Sequence, residues 1–416
     1  MIGPMERRLI KLRSSYDKRK NLLADKRVAL WMSVAKRYGL LTRKPSVLFV
    51  GYVESALGLG ESFRNLLKAL DAAGMPFGIH PFSREAETRR IGPFLESRYD
   101  LHEVYDVNVA YIQVAQLPHY FHELQKRVTG ARYNILRTYW ELSKAPAAWQ
   151  THLERIDEIW APNSFVADAF RPIFDRKITI VPVCISVNRS KSYSRDYFGL
   201  DEDRFYFMFS FDYYSGSARK NPLGVVQAFA YAFPDAETKV GLLIKSTGST
   251  ELDPTAAQQL QNSSTLDKRI TILDRSLNRD QMLSLIAGCD CYISLHRSEG
   301  FGLGMAEALA LGRPVIATDY SGNREYLTEA TGFPVPFALR TMIPGEYPMS
   351  EGQSWAEPDL RVAIQHMRTV FSDPDERTRR ALRGRRFIEE HYSERTVARI
   401  VIDRLDEIRR GFAKKS

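Results

Sequence analysis

From Pro45 onward the sequence alternates short apolar runs with segments of helical period, and that alternation limits the fold more than any other feature. PSVLFVGYV, DVNVAYIQV, YNILRTYWE, DEIWAPN and KITIVPV form a first series of runs. RFYFMFSFD, KVGLLIKS, RITILD, CYISLHR and PVIATD form a second, which begins near Arg204. Short apolar runs bounded by turn residues read as buried strands. ESFRNLLKALDAAGM, which ends at Gly74, and the stretches near 222–232, 279–288, 304–311 and 358–371 read as helices. Strands that alternate with helices predict parallel sheets covered on both faces. Two series, with a hand-over around residues 184–203, predict two doubly wound α/β domains. No internal repeat or low-complexity tract interrupts them. A chain of 416 residues is also too long for one sheet core.

Composition narrows the class. Hydrophobic residues make up 44% of the chain and charged residues 26%, which suits a soluble globular protein. No apolar run approaches the roughly 20 residues of a membrane helix. The start, MIGPMERRLIKLR, lacks the apolar core and cleavage site of a secretory signal. Cys184, Cys289 and Cys291 lie in apolar contexts and form no metal-binding or redox spacing, so they read as reduced core thiols. A cytoplasmic protein is expected.

The net charge of +9 raises nucleic acid as a partner, but its distribution argues against one. Residues 1–44 hold 13 Lys/Arg against 3 Asp/Glu, which leaves the rest of the chain close to neutral. That extension has roughly helical apolar spacing, through Leu9, Leu12, Tyr16, Leu23, Leu30, Trp31 and Val34, with cations between. A basic amphipathic helix of this kind can lie on the inner face of the cytoplasmic membrane. Packing on the protein body or on a second copy accounts for the same pattern.

The most informative stretch is HRSEGFGLGMAEALALGRPVIATDYSGN, residues 296–323. CYISLHR is a strand, SEGFGLG the loop at its carboxyl end, and MAEALAL the helix that follows. Ligands of open parallel sheets bind beyond the carboxyl ends of strands, where a loop leads into a helix. Gly300, Gly302 and Gly304 allow backbone amides to turn toward an anion, and the helix start adds partial positive charge. Glu299 lies in the loop and Glu307 is expected in the first helical turn. Carboxylates accept hydrogen bonds from vicinal hydroxyls, so an acidic pair around a phosphate cradle fits a sugar nucleotide. A turn residue and a dipole-complementing residue are the plainer readings of the two.

This arrangement resembles a known family. EGFGLGMAE, with glutamates eight positions apart, looks like the signature of retaining GT-B glycosyltransferases of family 4, glycosyl transferases group 1. ALALGRPVIATDYSGNREYL continues the likeness, and GLGES (58–62), WAPNSFVADAF (160–170), ARKNPLGVVQAF (218–229) and AEPDLRVAIQHM (356–367) recur in order. The resemblance covers roughly residues 45–412 and implies two Rossmann-like domains facing across a cleft. It implies an acceptor-side domain at 45–185, a nucleotide-sugar domain at 186–390, and a last stretch, 391–416, that returns to the first domain. Whether that last helix packs back or stands free is open in the sequence.

The resemblance also implies roles. Glu307 would take the ribose hydroxyls of the donor, and Glu299 the hydroxyls of the transferred sugar. Amides around Gly300, Phe301, Gly302 and Leu303 would meet the donor. Arg219 and Lys220 would neutralise the departing diphosphate, and Gly58 and Gly60 would close over it from the other domain. Two departures stand out. Where relatives carry a further arginine, this chain has Asp212-Tyr213-Tyr214-Ser215, so diphosphate binding would lean on Arg219 or on Lys245. Where relatives carry a histidine near the sugar, it has Thr138-Tyr139-Trp140-Glu141, which makes Glu141 an acceptor-side candidate. The aspartate pairs Asp201/Asp203 and Asp373/Asp375 read as a turn and a helix cap, so no metal or other cofactor is expected.

The activity implied is transfer of a hexose, such as mannose, from a UDP- or GDP-linked donor to a saccharide. Retention of configuration is implied, as is a lipid-linked acceptor in bacterial surface polysaccharide synthesis. A sugar-nucleotide epimerase of the same fold and a non-catalytic nucleotide-sugar-binding partner remain as alternatives.

Overall fold

The computed structural model describes residues 43–84 and 90–413. The expected amphipathic helix of the basic extension lies outside the described residues. Two six-stranded parallel sheets carry the fold. The first contains β1 (Lys44–Gly51), β2 (Phe77–Pro81), β3 (Tyr105–Tyr111), β4 (Tyr133–Arg137), β5 (Glu158–Ala161) and β6 (Lys177–Ile180), in spatial order β2-β1-β3-β4-β5-β6. The second contains β7 (Phe205–Asp212), β8 (Val240–Thr247), β9 (Ile270–Asp274), β10 (Cys291–Ser294), β11 (Val315–Thr318) and β12 (Phe333–Val335), in order β12-β11-β10-β7-β8-β9. Their continuous apolar runs follow from burial on both faces, as in Val47–Val50, where every side chain is fully buried. β2 and β12 escape sequence reading because FGIHP and FPV are short and carry proline or glycine.

Each strand order reverses once, between β1 and β3 in the first sheet and between β7 and β10 in the second. At such a reversal the neighbouring connections leave on opposite faces, which opens a crevice at the carboxyl ends. Both crevices face one cleft.

Two elements join the halves. β13 (Phe337–Thr341) and β14 (Ser354–Pro358) form an antiparallel hairpin that leaves the second sheet. Its Met342 and Trp355 enter the first sheet's core beside Trp140 and Trp149. Pro344, Gly345 and Pro348 break any period there, so the sequence shows no element. The last helix, Glu394–Ala413, sets Val397, Val401, Leu405 and Ile408 against Phe63, Leu66, Leu67 and Leu70 of the helix Gly58–Ala72. The open question about this helix is thereby answered: it packs on the first sheet's side.

A buried ion pair fastens that helix. Arg404 meets Glu158 with Nε at 2.9 Å from Oε1 and Nη2 at 2.6 Å from Oε2. Glu158 is wholly buried and also accepts from Tyr133 Oη at 3.0 Å and Trp160 Nε1 at 3.1 Å. Breaking such a pair from one side strands a charge in the core. Arg404→Met is therefore expected to cost about 3–5 kcal/mol in urea unfolding, and Arg404→Met with Glu158→Leu much less.

Candidate active site

The loops at the two reversals line a single cleft of about 500 Å³. Tyr52, Leu57, Gly58 and Leu59 follow β1, and Gln113, Ala115 and Gln116 follow β3. Across from them, Asp212, Tyr214, Ser215, Arg219 and Lys220 follow β7, and Glu299 to Leu303 follow β10. Glu141, Tyr139 and Ser62 complete the first sheet's wall.

The glycine loop after β10 is shaped by close packing. Gly302 has φ +88°, and a Cβ there would overlap Met305 Cε and Tyr326 Oη. Tyr326 Oη donates to the carbonyls of Phe301 and Gly302 at 2.7 and 2.9 Å, which fixes their direction. The helix Leu303–Ala310 starts at once, two residues earlier than the sequence suggests. The amides of Gly300, Phe301, Gly302 and Leu303 meet no acceptor among the described residues. A row of free amides at a helix start is suited to an anion.

Glu299 sits between two cations. Its Oε2 lies 3.2 Å from Arg219 Nη1, and its Oε1 accepts from Lys220 Nζ. Burial works against its ionisation, but Lys220 and Arg219 hold it ionised, with a pKa of about 2. Arg219 is pinned further, since Nε donates to Ser215 O at 3.0 Å and Nη1 to Ser298 O at 2.8 Å. Glu299 raises the Arg219 pKa despite burial. Lys220 is pushed down, because burial outweighs the attraction of Glu299.

The ARKNPLG segment supplies these cations by local geometry. The short helix Ser217–Lys220 ends at Asn221, which adopts φ +55°. Asn221 Oδ1 accepts from Gly224 N at 3.2 Å, and Nδ2 donates to Leu295 O at 2.8 Å. One side chain thus starts the helix Pro222–Ala232 and ties the turn to the end of β10. A Cβ on Gly224 would strike that carboxamide.

A seam joins this loop to the first sheet's side. Asn163 caps the helix Ser164–Phe170 by accepting from Val166 N at 2.9 Å. Its Nδ2 donates to Gly300 O at 2.7 Å. Tyr347, on the hairpin, donates to Glu141 Oε2 at 2.9 Å, and its ring lies 5.7 Å from the Arg219 guanidinium.

Residues 214–339 match the family model described as glycosyl transferases group 1. Most of the chain superposes on solved structures. Anabaena HepE in complex with UDP and glucose matches with a TM-score of 0.61 and 14% identity, over 88% of this chain and 100% of that one. The fold is GT-B. Sucrose-phosphate synthase from Thermosynechococcus elongatus matches with a TM-score of 0.63 and 15% identity, over 90% of this chain and 100% of that one. A glycosyltransferase from Rickettsia africae gives 0.63 and 15%, over 88% and 99%. No curated protein shows significant sequence similarity to the chain.

Within this GT-B frame most of the expected site residues come together, and two are placed differently. Gly58 lines the cleft, but Gly60 is the third residue of the helix Gly58–Ala72 and does not line it. A Cβ on Gly60 would come within 2.6 Å of the carbonyls of Ser55 and Tyr52, so the glycine is needed for packing. Glu307 lies in the second helical turn, not the first, and is set back from the cleft lining. Glu141 lines the cleft and hydrogen-bonds Tyr347; no ion pair holds it among the described residues. Asp201 accepts from Asp203 N at 3.1 Å in a turn, and Asp373 caps the helix Pro374–His391. Among the described residues no three His, Cys, Asp or Glu side chains gather at one point. Nor is any described helix long and apolar enough to cross a membrane. The three cysteines are buried and unpaired, and burial lifts Cys289 to about 12.

Lys245, near the carboxyl end of β8, is 7% exposed, and its side chain makes no hydrogen bond or ion pair among the described residues. Burial lowers its pKa to about 8, although Asp212 and Asp274 pull the other way. A lysine whose folded pKa is depressed loses stability as pH falls from the unfolded value toward the folded one. Lys245→Met is therefore expected to stabilise the fold at neutral pH, by on the order of 3 kcal/mol. It is also expected to remove the rise in stability between pH 8 and 10.5, as read from denaturation midpoints.

Proposed function

We propose that this chain is a metal-independent retaining glycosyltransferase of the family-4 type, which moves a hexose from a UDP- or GDP-sugar to a saccharide hydroxyl. The observation that carries the reading is Glu299, ionised between Arg219 and Lys220, beside a row of free amides in a cleft formed at both sheet reversals. HepE, which shares the fold, was solved with UDP and glucose, and this supports a nucleotide-sugar donor.

The chemistry follows from the charges. As the anomeric carbon parts from the β-phosphate oxygen, positive charge develops on the sugar and negative charge on the diphosphate. Glu299 faces the first, while Lys220, Arg219 and the free amides face the second. Fixed groups aimed at developing charge stabilise the transition state without reorganisation. The acceptor oxygen bonds to the same face of the carbon, and its proton passes to the leaving phosphate oxygen. Glu141 and Tyr139 orient the acceptor from the opposite wall. We place the acceptor among lipid-linked saccharides of bacterial surface polysaccharide assembly, with the basic extension, residues 1–44, meeting the inner membrane face.

The test is incubation with UDP-glucose or GDP-mannose and a panel of alkyl glycosides in EDTA, followed by proton NMR of the product. An α-linked product from an α-linked donor is expected. An isomerised donor, or a β-linked product, would replace this reading with an epimerase or an inverting enzyme.

A further inference from the structure

The two walls of the cleft are joined by a line of alternating charges that no motif predicts. Arg64 Nη1 donates to the carbonyls of Val53 and Ser55 at 3.0 and 2.8 Å, in the loop after β1. Its Nη2 reaches Glu61 Oε2 at 2.7 Å. The other oxygen of Glu61 meets Arg279 Nε at 3.0 Å. Arg279 Nη1 then donates to Glu307 Oε1 at 2.6 Å, and Nη2 to Ser186 O at 2.7 Å. Arg64 and Glu61 belong to the first sheet's side, and Arg279 and Glu307 to the second. Ser186 lies on the crossing between them.

Every member of the line is largely buried, and the Glu307 side chain is only 3% exposed. Arg279 is its sole hydrogen-bond donor among the described residues, and it engages Oε1 alone. The second oxygen accepts no hydrogen bond among the described residues and is not sealed in the core, so it stays open to a donor from outside the chain.

We propose that Arg279 is a positioning residue for the donor nucleotide: it orients Glu307 so that Oε2 accepts from the ribose hydroxyls, and it ties that contact to the Gly58 helix start across the cleft. This rests on the reading of the chain as a nucleotide-sugar enzyme. Nucleotide binding and the seating of the first sheet's loop over the cleft become one event, because Arg279 is shared by both. The charge follows the same logic. Burial raises the Glu307 pKa, Arg279 opposes that, and Glu61 adds to it. Tyr292 and Tyr326, the titratable neighbours beyond them, are neutral, their pKa values being raised by burial. A carboxylate must be ionised to accept from two hydroxyls, so donor affinity falls as pH drops through the Glu307 pKa.

The test is calorimetric titration of UDP-glucose and GDP-mannose between about pH 5 and 8, on wild type, Arg279→Gln, Arg279→Lys and Glu61→Gln, with thermal unfolding of each. Arg279→Gln is expected to weaken donor binding about tenfold or more at neutral pH and to move the acid midpoint of affinity upward by about one unit. Glu61→Gln is expected to move the midpoint downward, because it removes the carboxylate that opposes Glu307 ionisation. Arg279→Lys, which keeps the charge and loses the fork, is expected to restore the midpoint more than the affinity. A residue that served folding alone would not shift the two midpoints in opposite directions. A folded Arg279→Gln that matches wild type in affinity and midpoint overturns the inference alone. A wild type that binds neither donor overturns the functional reading and this inference with it.

Discussion

Glu299→Gln is expected to lower transfer about a thousandfold while leaving UDP affinity at or above that of wild type. The two effects have one cause. Glu299 is the internal counter-ion of Arg219 and Lys220, so in the resting site it competes with an incoming diphosphate for both cations. Glutamine keeps the shape and removes the charge, which frees those cations for the diphosphate. The same change removes the negative charge that faces the anomeric carbon as it turns positive. Binding is therefore preserved and turnover is lost. Because Lys220 and Arg219 hold the Glu299 pKa at about 2, wild-type turnover should show no acid limb from Glu299 in the neutral range. Stability moves separately, since removing one member of a buried charge cluster costs about 3–5 kcal/mol without ligand. Saturating UDP should restore part of that loss, as binding to the folded state does generally. Single-turnover rates and UDP titrations decide the matter; turnover within about threefold of wild type would remove Glu299 from the chemistry.

Lys220→Met is the second large effect, expected at about 10²–10³ in kcat with a smaller change in KM. The departing diphosphate gains charge as the bond breaks, so a cation fixed beside it helps the transition state more than the bound donor. Arg219 cannot substitute, because its guanidinium is already committed to Ser215 O, Ser298 O and Glu299. Burial lowers the Lys220 pKa from its ordinary value of 10.5, the opposing pull of Glu299 notwithstanding. Lys220 carries its charge only below that folded pKa, so activity should fall as pH rises through a value under 10.5. That basic limb should be absent from the residual activity of Lys220→Met. Equal loss in kcat for a natural donor and for a glycosyl fluoride would argue against a role at the diphosphate.

How much of this was legible in the sequence can be judged residue by residue. Glu299 and the glycines after it could be placed because β10 is a short, mostly apolar run and the helix after it is apolar on most sides. Arg219 and Lys220 could be named only through resemblance. They meet Glu299 across some 80 positions of chain, and nothing in the local pattern of ARKNPLG states that contact. Arg279 left no signal. Asn278 and Gln281 form a capping box, so Arg279 reads as the ordinary first residue of a well-capped helix. Tyr347 lies where Pro344, Gly345 and Pro348 erase periodicity, so the hairpin that carries it has no signature in the sequence. Gly60 shows a second thing the sequence hides: the carbonyls of Tyr52 and Ser55 behind it leave no room for a Cβ, whatever the glycine meets in front. Local propensity marks where strands end, and strand ends are where this fold binds ligands. Which side chains cross from one sheet to the other is set by tertiary packing, to which a single sequence gives no access.

The central claim is that the cleft between the two sheets holds a nucleotide sugar. It is tested most directly by titrating the wild-type protein, in EDTA, with UDP-, GDP-, ADP- and dTDP-sugars by calorimetry and thermal shift. The account predicts saturable binding selective for one nucleotide class, together with a raised unfolding temperature. Absence of binding by all four would contradict it, and would leave the free amides of residues 300–303 as the start of a well-packed core helix.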